Sequence, residues 1–332
     1  MKIAVTGSHG LIGSRLVEVL TGAGHRVIRI NREAAAPSGH VPSAISSAGR
    51  VQLNTTNPAE STRSTPDDVL WDPDAGTIDA DALGGIDSVI HLAGARIGLR
   101  WTSGKRAMIR NSRVRGTSLI ARTVAELDPK PKSLICASAY GYYGDRGDEV
   151  LTEDSLPGHG FLADACEQWE AAAQPARDAG LRVIHARFGL VLSPSGGALG
   201  PMTRLFRVGL GGRVGSGRQW WPWIAIEDAV SALRFAVEEN ALYGPANFVS
   251  PNMVTNAEFA RTLSHVLSRP AVLPAPSWAV ATLFASAGRE MLLSSQRIIP
   301  AKLQSAGFQW QLPGLEPALR RQLCAQTEVR RR

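Results

Sequence analysis

The segment TGSHGLIG, residues 6–13, decides the fold of this chain. It carries Gly7, Gly10 and Gly13 in the spacing G-x-x-G-x-x-G, directly after the apolar run KIAV. Glycines in such a turn permit a sharp bend, let backbone N–H groups approach a phosphate and allow a helix to pack closely on a strand. The turn therefore predicts a site for the pyrophosphate of a dinucleotide.

The residues around this turn alternate between strand and helix patterns. KIAVTG (2–7) and HRVIRI (25–30) are typical of buried strands, and LIGSRLVEVL (11–20) has apolar residues at helical spacing. Together they predict a β-α-β unit, the building block of a parallel sheet. In that context Ser8, Leu11 and Ile12 are expected to complete the cofactor-binding turn.

The alternation continues to about residue 190. Three further strands are predicted, namely DSVIHLAG (87–94), KSLICAS (132–138) and LRVIHARF (181–188), and helices are predicted over 103–127 and 163–178. This order of elements predicts an α/β fold with a doubly wound parallel sheet.

The domain organisation follows from changes in composition. Residues 34–66 are rich in Ala, Ser, Thr and Pro without periodicity, which predicts a flexible insertion. After residue 190 the chain becomes Gly-rich, and TNAEFARTL (255–263) opens with the capping-box pair Thr255 and Glu258. We therefore divide the chain into a dinucleotide-binding domain at 1–190, a C-terminal lobe at 191–325 and a basic tail at 326–332.

Composition excludes several classes of protein. The net charge of +7 includes the arginines at 320, 321 and 330–332, so a charged end explains most of it and we expect no nucleic-acid partner. The apolar run at 278–287 is far shorter than the roughly 18 residues of a membrane span. The first residues, MKIAVTGSHG, read as the start of a strand and show no apolar region with a cleavage site, so we expect no signal peptide here. The three cysteines and seven histidines form no metal pattern. A cytoplasmic protein without metal, either a monomer or a homodimer, is expected.

The end of the second predicted strand indicates which dinucleotide binds. It reads Asn31, Arg32, Glu33. An arginine there accommodates the 2′-phosphate of NADP, whereas an acidic residue would bind the ribose hydroxyl of NAD. Arg32, with Asn31 as a neutral donor, predicts NADP, and Glu33 leaves NAD as the alternative.

The motifs resemble the extended short-chain dehydrogenase/reductase superfamily, in particular its NAD(P)-dependent epimerase-family proteins, a sugar-nucleotide epimerase-like subgroup with a C-terminal domain of unknown function. The segments that carry the resemblance include TGSHGLIG (6–13), IRNSR (109–113), ASAYGYYG (137–144) and QRIIPAKLQSAGF (296–308). The resemblance implies a Rossmann-like domain that binds NADP and a smaller C-terminal substrate lobe. It also implies cofactor contacts for Leu92, Ala93, Arg113 and Val191. One departure is Ala225, where relatives usually carry a histidine.

The acid–base pair of the parent superfamily, Tyr-x-x-x-Lys on one helix, is missing. None of the five lysines follows a tyrosine by four residues, and Leu162 and Cys166 take the places of the pair. Ser138, Tyr142 and Tyr143 are the alternative catalytic residues. Ser138 either bonds a substrate oxygen or caps a turn, and Tyr142 or Tyr143 either offers a phenol or packs the loop.

Two functions agree with these features. The first is an NADP-dependent oxidoreductase or epimerase that acts on a small or nucleotide-linked molecule with a nonstandard proton donor. The second is a regulatory protein that senses NADPH with little or no turnover, which the missing pair favours. The aromatic residues at 220–223 either floor a substrate pocket or belong to the core.

Overall fold

A computed structural model describes residues 1–32, 68–270 and 273–329 of the chain. The predicted insertion at 34–66, Glu33 and residues 330–332 of the predicted tail lie outside the described residues. The strands β1 to β14 are Lys2–Thr6, Arg26–Arg32, Asp68–Asp72, Thr77–Ile78, Ser88–His91, Ser133–Ala139, Val150–Leu151, Arg182–Phe188, Leu190–Leu192, Trp220–Trp221, Trp223–Ala225, Gly244–Phe248, Val254–Thr255 and Arg297–Ile298. The helices α1 to α10 are Leu11–Gly22, Ser103–Glu126, Phe161–Ala171, Gln174–Asp178, Leu199–Arg207, Ile226–Glu238, Asn256–Leu267, Ser277–Gly288, Ala301–Ser305 and Leu315–Val329.

The main sheet has the strand order β12-β8-β6-β5-β1-β2-β3-β4. Every neighbouring pair in it is parallel except β3 and β4. The chain first builds outward from β1 through β2 and β3, then returns to β5 and builds in the other direction. The order therefore reverses between β1 and β5, and ligands of such sheets bind beyond the carboxyl ends of these two strands. The predicted doubly wound parallel sheet is confirmed.

Alternate residues of the strands enter two apolar layers, one on each face of the sheet. Val5 packs in the layer that contains Leu16 of α1, whereas Ala4 packs in the layer that contains Ile120 of α2. Successive side chains of a strand point to opposite faces, so a parallel strand covered by helices on both sides is apolar throughout. Each large aliphatic side chain buried in this way stabilises the fold by about 1.5–3 kcal/mol.

The predicted helix over 163–178 is wrong in one respect, because the structure divides it into α3 and α4. Pro175 lies in the first turn of α4. Proline has no N–H to donate to the carbonyl four residues earlier, so one helix cannot run through this position without losing a bond.

The C-terminal part of the chain contributes to both the sheet and a separate core. β12 and α6, which follow residue 190, join the main sheet and its apolar layer. A third apolar cluster contains Trp223, Phe259 and Leu319. The division at residue 190 stays a prediction. None of the helices in the described part of the chain combines the length and the apolar character that a bilayer-spanning segment requires.

Candidate functional site

The glycine turn after β1 leaves no room for a side chain at Gly7 or Gly13. Gly7 has a φ of +67°, and a Cβ there would lie 3.0 Å from the backbone nitrogen of Ala93. A Cβ on Gly13 would lie 2.1 Å from the carbonyl oxygen of Gly7, which also accepts a hydrogen bond of 2.8 Å from the backbone N–H of Gly10. The turn thus exposes backbone N–H groups at the positive end of the α1 dipole, in a form that suits a phosphate.

A cavity of about 2100 Å³ opens beside this turn. Its walls come from the glycine turn, from the loop after β5, from the end of β6 and from the C-terminal lobe. A single drug-sized ligand occupies a pocket of roughly 300–1,000 Å³, so this cavity has room for a dinucleotide and a second molecule. The predicted cofactor residues that line it are Gly7, Gly10, Leu11, Ile12, Gly13, Leu92 and Val191.

Five predicted cofactor residues do not line the cavity, namely Ser8, Asn31, Arg32, Ala93 and Arg113. The Ser8 hydroxyl is 4% exposed and donates to Oδ1 of Asn31 over 3.3 Å. The backbone N–H of Ala93 donates to the Thr6 hydroxyl over 3.2 Å. Ser8 therefore links the turn to the end of β2, and Ala93 links the end of β1 to the loop after β5.

The end of β2 presents a cluster of charged groups. The Arg32 guanidinium donates to Asp74, and the Arg115 guanidinium approaches the same carboxylate at 3.5 Å. All three side chains are more than half exposed. Arg32 and Arg115 thus place two cations around one exposed carboxylate. A phosphate could take the place of this carboxylate by displacing Asp74.

Arg113 is a predicted cofactor residue whose charged group is largely shielded from water. Its guanidinium lies over the Trp169 ring, 4.9 Å from the ring centroid, and donates to the backbone oxygens of Ala95 and Ile109. Among the residues that the structure describes, no carboxylate forms an ion pair with it. Burial lowers the pKa of Arg113 from its ordinary value, because a charge away from water is costly without a partner. A cofactor oxygen would supply such a partner.

The end of β6 contributes one tyrosine to the cavity wall. Ala137 and Tyr140 line it, and Tyr140 begins a 3-10 helix that spans Tyr140–Tyr143. Burial, with a smaller effect of Cys166, raises the pKa of Tyr140 to about 12. The phenol therefore holds its proton throughout the neutral range.

Ser138 points away from the cavity into a buried ion pair. Its hydroxyl donates to Oε1 of Glu170 over 2.7 Å. Nε and Nη2 of Arg187 donate to the two carboxylate oxygens of Glu170, each over 2.8 Å. Since side chains alternate along a strand, Ala137 faces the cavity and Ser138 faces the other side.

Tyr142 and Tyr143 also surround Arg187 rather than the cavity. The Tyr142 ring covers the Arg187 guanidinium, 3.5 Å from the ring centroid. Tyr143 is fully buried, and its hydroxyl donates to Asn247 over 2.7 Å and accepts from Arg187 over 2.9 Å. The structure thus brings Ser138, Tyr142 and Tyr143 together, but in a packed polar network whose members do not line the cavity. Their catalytic assignment stays a prediction.

The two residues in the places of the missing pair are apolar neighbours of this loop. Leu162 packs against Gly141, and a Cβ on that glycine would lie 3.0 Å from the Cβ of Leu162. Cys166 is buried, and burial raises its pKa to about 12. Neither side chain can trade a proton near neutral pH.

Sequence reasoning missed several residues of the cavity. Tyr140 lies in the segment ASAYGYYG (137–144) together with Tyr142 and Tyr143. The pattern alone did not distinguish the tyrosine at the cavity from the two packed ones. Of the aromatic residues at 220–223, Trp221 lines the cavity and Trp223 belongs to the core. The lining residues at 205–206 and 273–292 carry no motif, whereas those at 210–214 fall in the Gly-rich stretch after residue 190. The two groups become neighbours only through folding.

A parallel sheet whose first strand leads into such a glycine turn, beside a large cavity at the reversal of strand order, defines a dinucleotide-binding protein of the α/β class.

Comparisons with known proteins identify the family within this class. A model of the NAD dependent epimerase/dehydratase family matches residues 3–249, and a model of a domain of unknown function, DUF1731, matches residues 275–322. The epimerase family protein Mb2239 of Mycobacterium bovis is 41% identical over 309 residues, and the match covers 93% of both chains. The chain belongs to the NAD dependent epimerase/dehydratase family, which confirms the resemblance seen in its motifs.

Solved structures agree with this assignment. The crystal structure of human epimerase family protein SDR39U1 with NADPH has a TM-score of 0.81 and 31% sequence identity, covering 97% of this chain and 99% of that chain. The structure of the nucleoside-diphosphate sugar epimerase from Corynebacterium glutamicum has a TM-score of 0.73 and 32% identity, covering 100% of this chain and 61% of that chain.

Proposed function

We propose that this chain is an NADPH-dependent oxidoreductase that reduces a carbonyl group of a small molecule. The observation that carries the proposal is the cavity, whose wall includes both the glycine turn and Tyr140. The NADPH in the structure of the human relative supports the choice of cofactor. A cytoplasmic location stays a prediction.

The residues of the turn and of its surroundings fit NADPH. The backbone N–H groups around Gly10 would hold the pyrophosphate, since the turn adopts this conformation only where a Cβ on Gly7 and Gly13 is absent. Arg32 and Asn31 would hold the 2′-phosphate, and Arg113 would donate to a cofactor oxygen. NADPH, when bound, supplies a hydride to the carbonyl carbon, and the carbonyl oxygen takes up a proton to give an alcohol.

Tyr140 is proposed as the donor of that proton. Among the described residues it is the tyrosine that lines the cavity, and the same wall contains no lysine. With a pKa of about 12, its phenol can donate a proton but is rarely the phenolate that would act as a base. Ser138, Tyr142 and Tyr143 are proposed to position the loop that carries Tyr140.

A regulatory protein that binds NADPH without turnover is the second candidate. The observation that favours it is the replacement of the usual acid–base pair by Leu162 and Cys166, neither of which can exchange a proton near neutral pH. The two candidates agree on cofactor binding and differ on chemistry.

Calorimetric titration with NADPH and NADH tests the cofactor assignment. We expect Arg32→Ala to weaken NADPH binding about 10-fold or more and to leave NADH binding unchanged, because only NADPH carries the 2′-phosphate. Arg122→Ala, at an exposed arginine of α2, is the matched control and should change neither. Tighter binding of NADH than of NADPH by the unaltered chain would refute this part of the proposal.

Turnover separates the two candidates. The oxidation of NADPH is followed at 340 nm with a panel of aldehydes, ketones and sugar nucleotides. The oxidoreductase predicts turnover on a carbonyl compound and a loss of at least 100-fold in Tyr140→Phe with unchanged NADPH affinity. Turnover that survives in Tyr140→Phe would exclude the proposed proton donor, and tight NADPH binding without turnover on any compound would favour the regulator.

A further inference from the structure

The part of the cavity wall formed by the C-terminal lobe differs in character from the glycine turn. Every lining residue contributed by 205–214 and by 273–292 is either apolar or a glycine. The larger ones include Phe206, Leu210, Val214, Leu273, Phe284 and Met291. These two segments offer no side-chain partner to hydroxyl or phosphate groups, and burying such groups against them is costly. The polar lining residues of the lobe lie in other segments, namely Ser193, Ser195, Arg204, Glu227, Asn256, Arg321 and Gln322.

Several of these side chains are exposed although they are large and apolar. Leu205, Leu210 and Leu273 are each more than half exposed, and Leu99 across the cavity is 37% exposed. All four line the same cavity. Exposed apolar residues that surround one concavity indicate a surface that a ligand covers, whereas single ones scattered over a protein need no explanation.

The charges in the lobe part of the wall do not form a phosphate site. In the described part of the lobe, the arginines that line the cavity are Arg204 and Arg321. Nε of Arg321 lies 4.0 Å from Oε1 of Glu227, which also lines the cavity and offsets its charge. Arg204 is exposed on α5, next to Leu205. Asn256 and Gln322 also line the cavity, but Oδ1 of Asn256 accepts from the Val214 backbone N–H over 2.7 Å and Nε2 of Gln322 donates to Glu227 over 2.6 Å. A nucleoside diphosphate needs several convergent charged donors, and these groups do not form such a set.

We infer that the second molecule in the cavity is a neutral, predominantly apolar carbonyl compound with an extended hydrocarbon or aromatic body, and not a nucleotide-linked sugar. This inference rests on the proposed function, because it names the substrate class of the same site. The carbonyl group would lie toward Tyr140, and the body would lie along the residues of 205–214 and 273–292. Such a ligand gains from the same apolar contacts that would exclude a hydroxylated one.

A fluorescence titration with N-phenyl-1-naphthylamine, a neutral apolar probe that brightens out of water, tests the inference. We expect saturable binding to the unaltered chain and at least 10-fold weaker binding to Leu210→Asp. Leu210 is 59% exposed, so the substitution should not prevent folding. Met291→Asp is a second variant with the same expected loss. Leu156→Asp is the matched control, since Leu156 is 76% exposed and does not line the cavity.

Competition by other ligands tests the inferred substrate class, and titration with NADPH tests the cofactor assignment separately. Long-chain ketones should displace the probe, and UDP-glucose should not. Displacement by UDP-glucose, or equal probe binding in Leu210→Asp and Leu156→Asp, would overturn the inference. Titration of each variant with NADPH separates this outcome from failure of the proposed function. If the unaltered chain binds the probe but does not bind NADPH, the cofactor assignment is refuted and the inference about the apolar wall is not.

Discussion

Replacing Arg187 with methionine removes the cation of the buried network and keeps a side chain of similar length. In the unaltered protein Arg187 is bidentate to Glu170, with two bonds of 2.8 Å, and donates to the Tyr143 hydroxyl over 2.9 Å. The side chains of Arg187 and Glu170 are 3% and 11% exposed. The substitution therefore leaves a carboxylate inside the protein, with the Ser138 hydroxyl as its remaining side-chain donor.

The expected cost follows from this burial. Removing one partner of a buried ion pair lowers the free energy of unfolding by about 3–5 kcal/mol, because the remaining charge is uncompensated. An exposed pair gives the scale for comparison. Arg234 donates to Glu238 over 2.9 Å on the surface of α6, and Arg234→Met should cost less than about 0.5 kcal/mol. Urea denaturation followed by circular dichroism measures both.

The pH dependence gives the prediction its sign. Burial raises the pKa of Glu170, but the hydrogen bonds and charge of Arg187 outweigh it, so the pKa lies below its ordinary value. The ion pair is therefore fully stabilising above the ordinary carboxyl pKa of about 4.3 and is lost below it. In Arg187→Met burial is opposed only by the smaller effects of His185 and Ser138, and the pKa of Glu170 should rise above its ordinary value. Protonation then removes the penalty, so the difference in stability between the two proteins should shrink as the pH falls from 7 toward 5.

A second substitution isolates the carboxylate. Adding Glu170→Gln to Arg187→Met removes the buried charge, and we expect part of the lost stability to return, by about 0.5–3 kcal/mol, with a weaker dependence on pH. A loss below 1 kcal/mol in Arg187→Met that does not change between pH 5 and 7 would refute the reasoning, because the carboxylate would then not be buried and unpaired.

Three further predictions concern the turn, a helix cap and the tyrosine loop. Gly13→Ala should abolish NADPH binding measured by calorimetry, because the new Cβ would lie 2.1 Å from a backbone oxygen of the turn. Gly22→Ala in the same helix places its Cβ in open space and should bind NADPH normally. Equal NADPH affinities of the two variants would contradict the proposed phosphate site. Thr255→Ala should lower the free energy of unfolding by about 1 kcal/mol in urea denaturation, because its hydroxyl caps α7, and an unchanged midpoint would count against the capping box. Tyr143→Phe should cost about 1–3 kcal/mol because it leaves its buried partners unsatisfied, while Tyr243→Phe, at a tyrosine that is 68% exposed, should cost nothing measurable.

The sequence alone was sufficient for the local elements near the turn. The period of apolar residues changes from strand to helix and back within the first thirty residues, and three glycines mark the junction. Both signals depend on the backbone over a few residues, so they can be recognised without knowledge of distant contacts. The strands at 87–94, 132–138 and 181–188 and the capping box at Thr255 and Glu258 were predicted for the same reason and are confirmed.

The tyrosine loop shows where local reasoning ends. Sequence placed Tyr140, Tyr142 and Tyr143 on one loop after a strand, but the direction of each ring depends on which neighbours arrive from elsewhere. Arg187 lies in a strand 44 residues beyond Tyr143. Its guanidinium packs on the Tyr142 ring and donates to the Tyr143 hydroxyl. Tyr140 is left to line the cavity.

What the sequence by itself determined is the β-α-β unit, the glycine turn and the alternation of strands and helices to about residue 190, because these depend on short-range periodicity and on backbone conformations that few residues allow. Only the tertiary structure decided which side chains share the cavity. Its walls join residues near positions 7, 92, 140, 210 and 284, and the pairing of these segments is set by burial of apolar faces that no local pattern encodes. The phenol at the cavity and the apolar wall opposite the turn therefore emerge from packing.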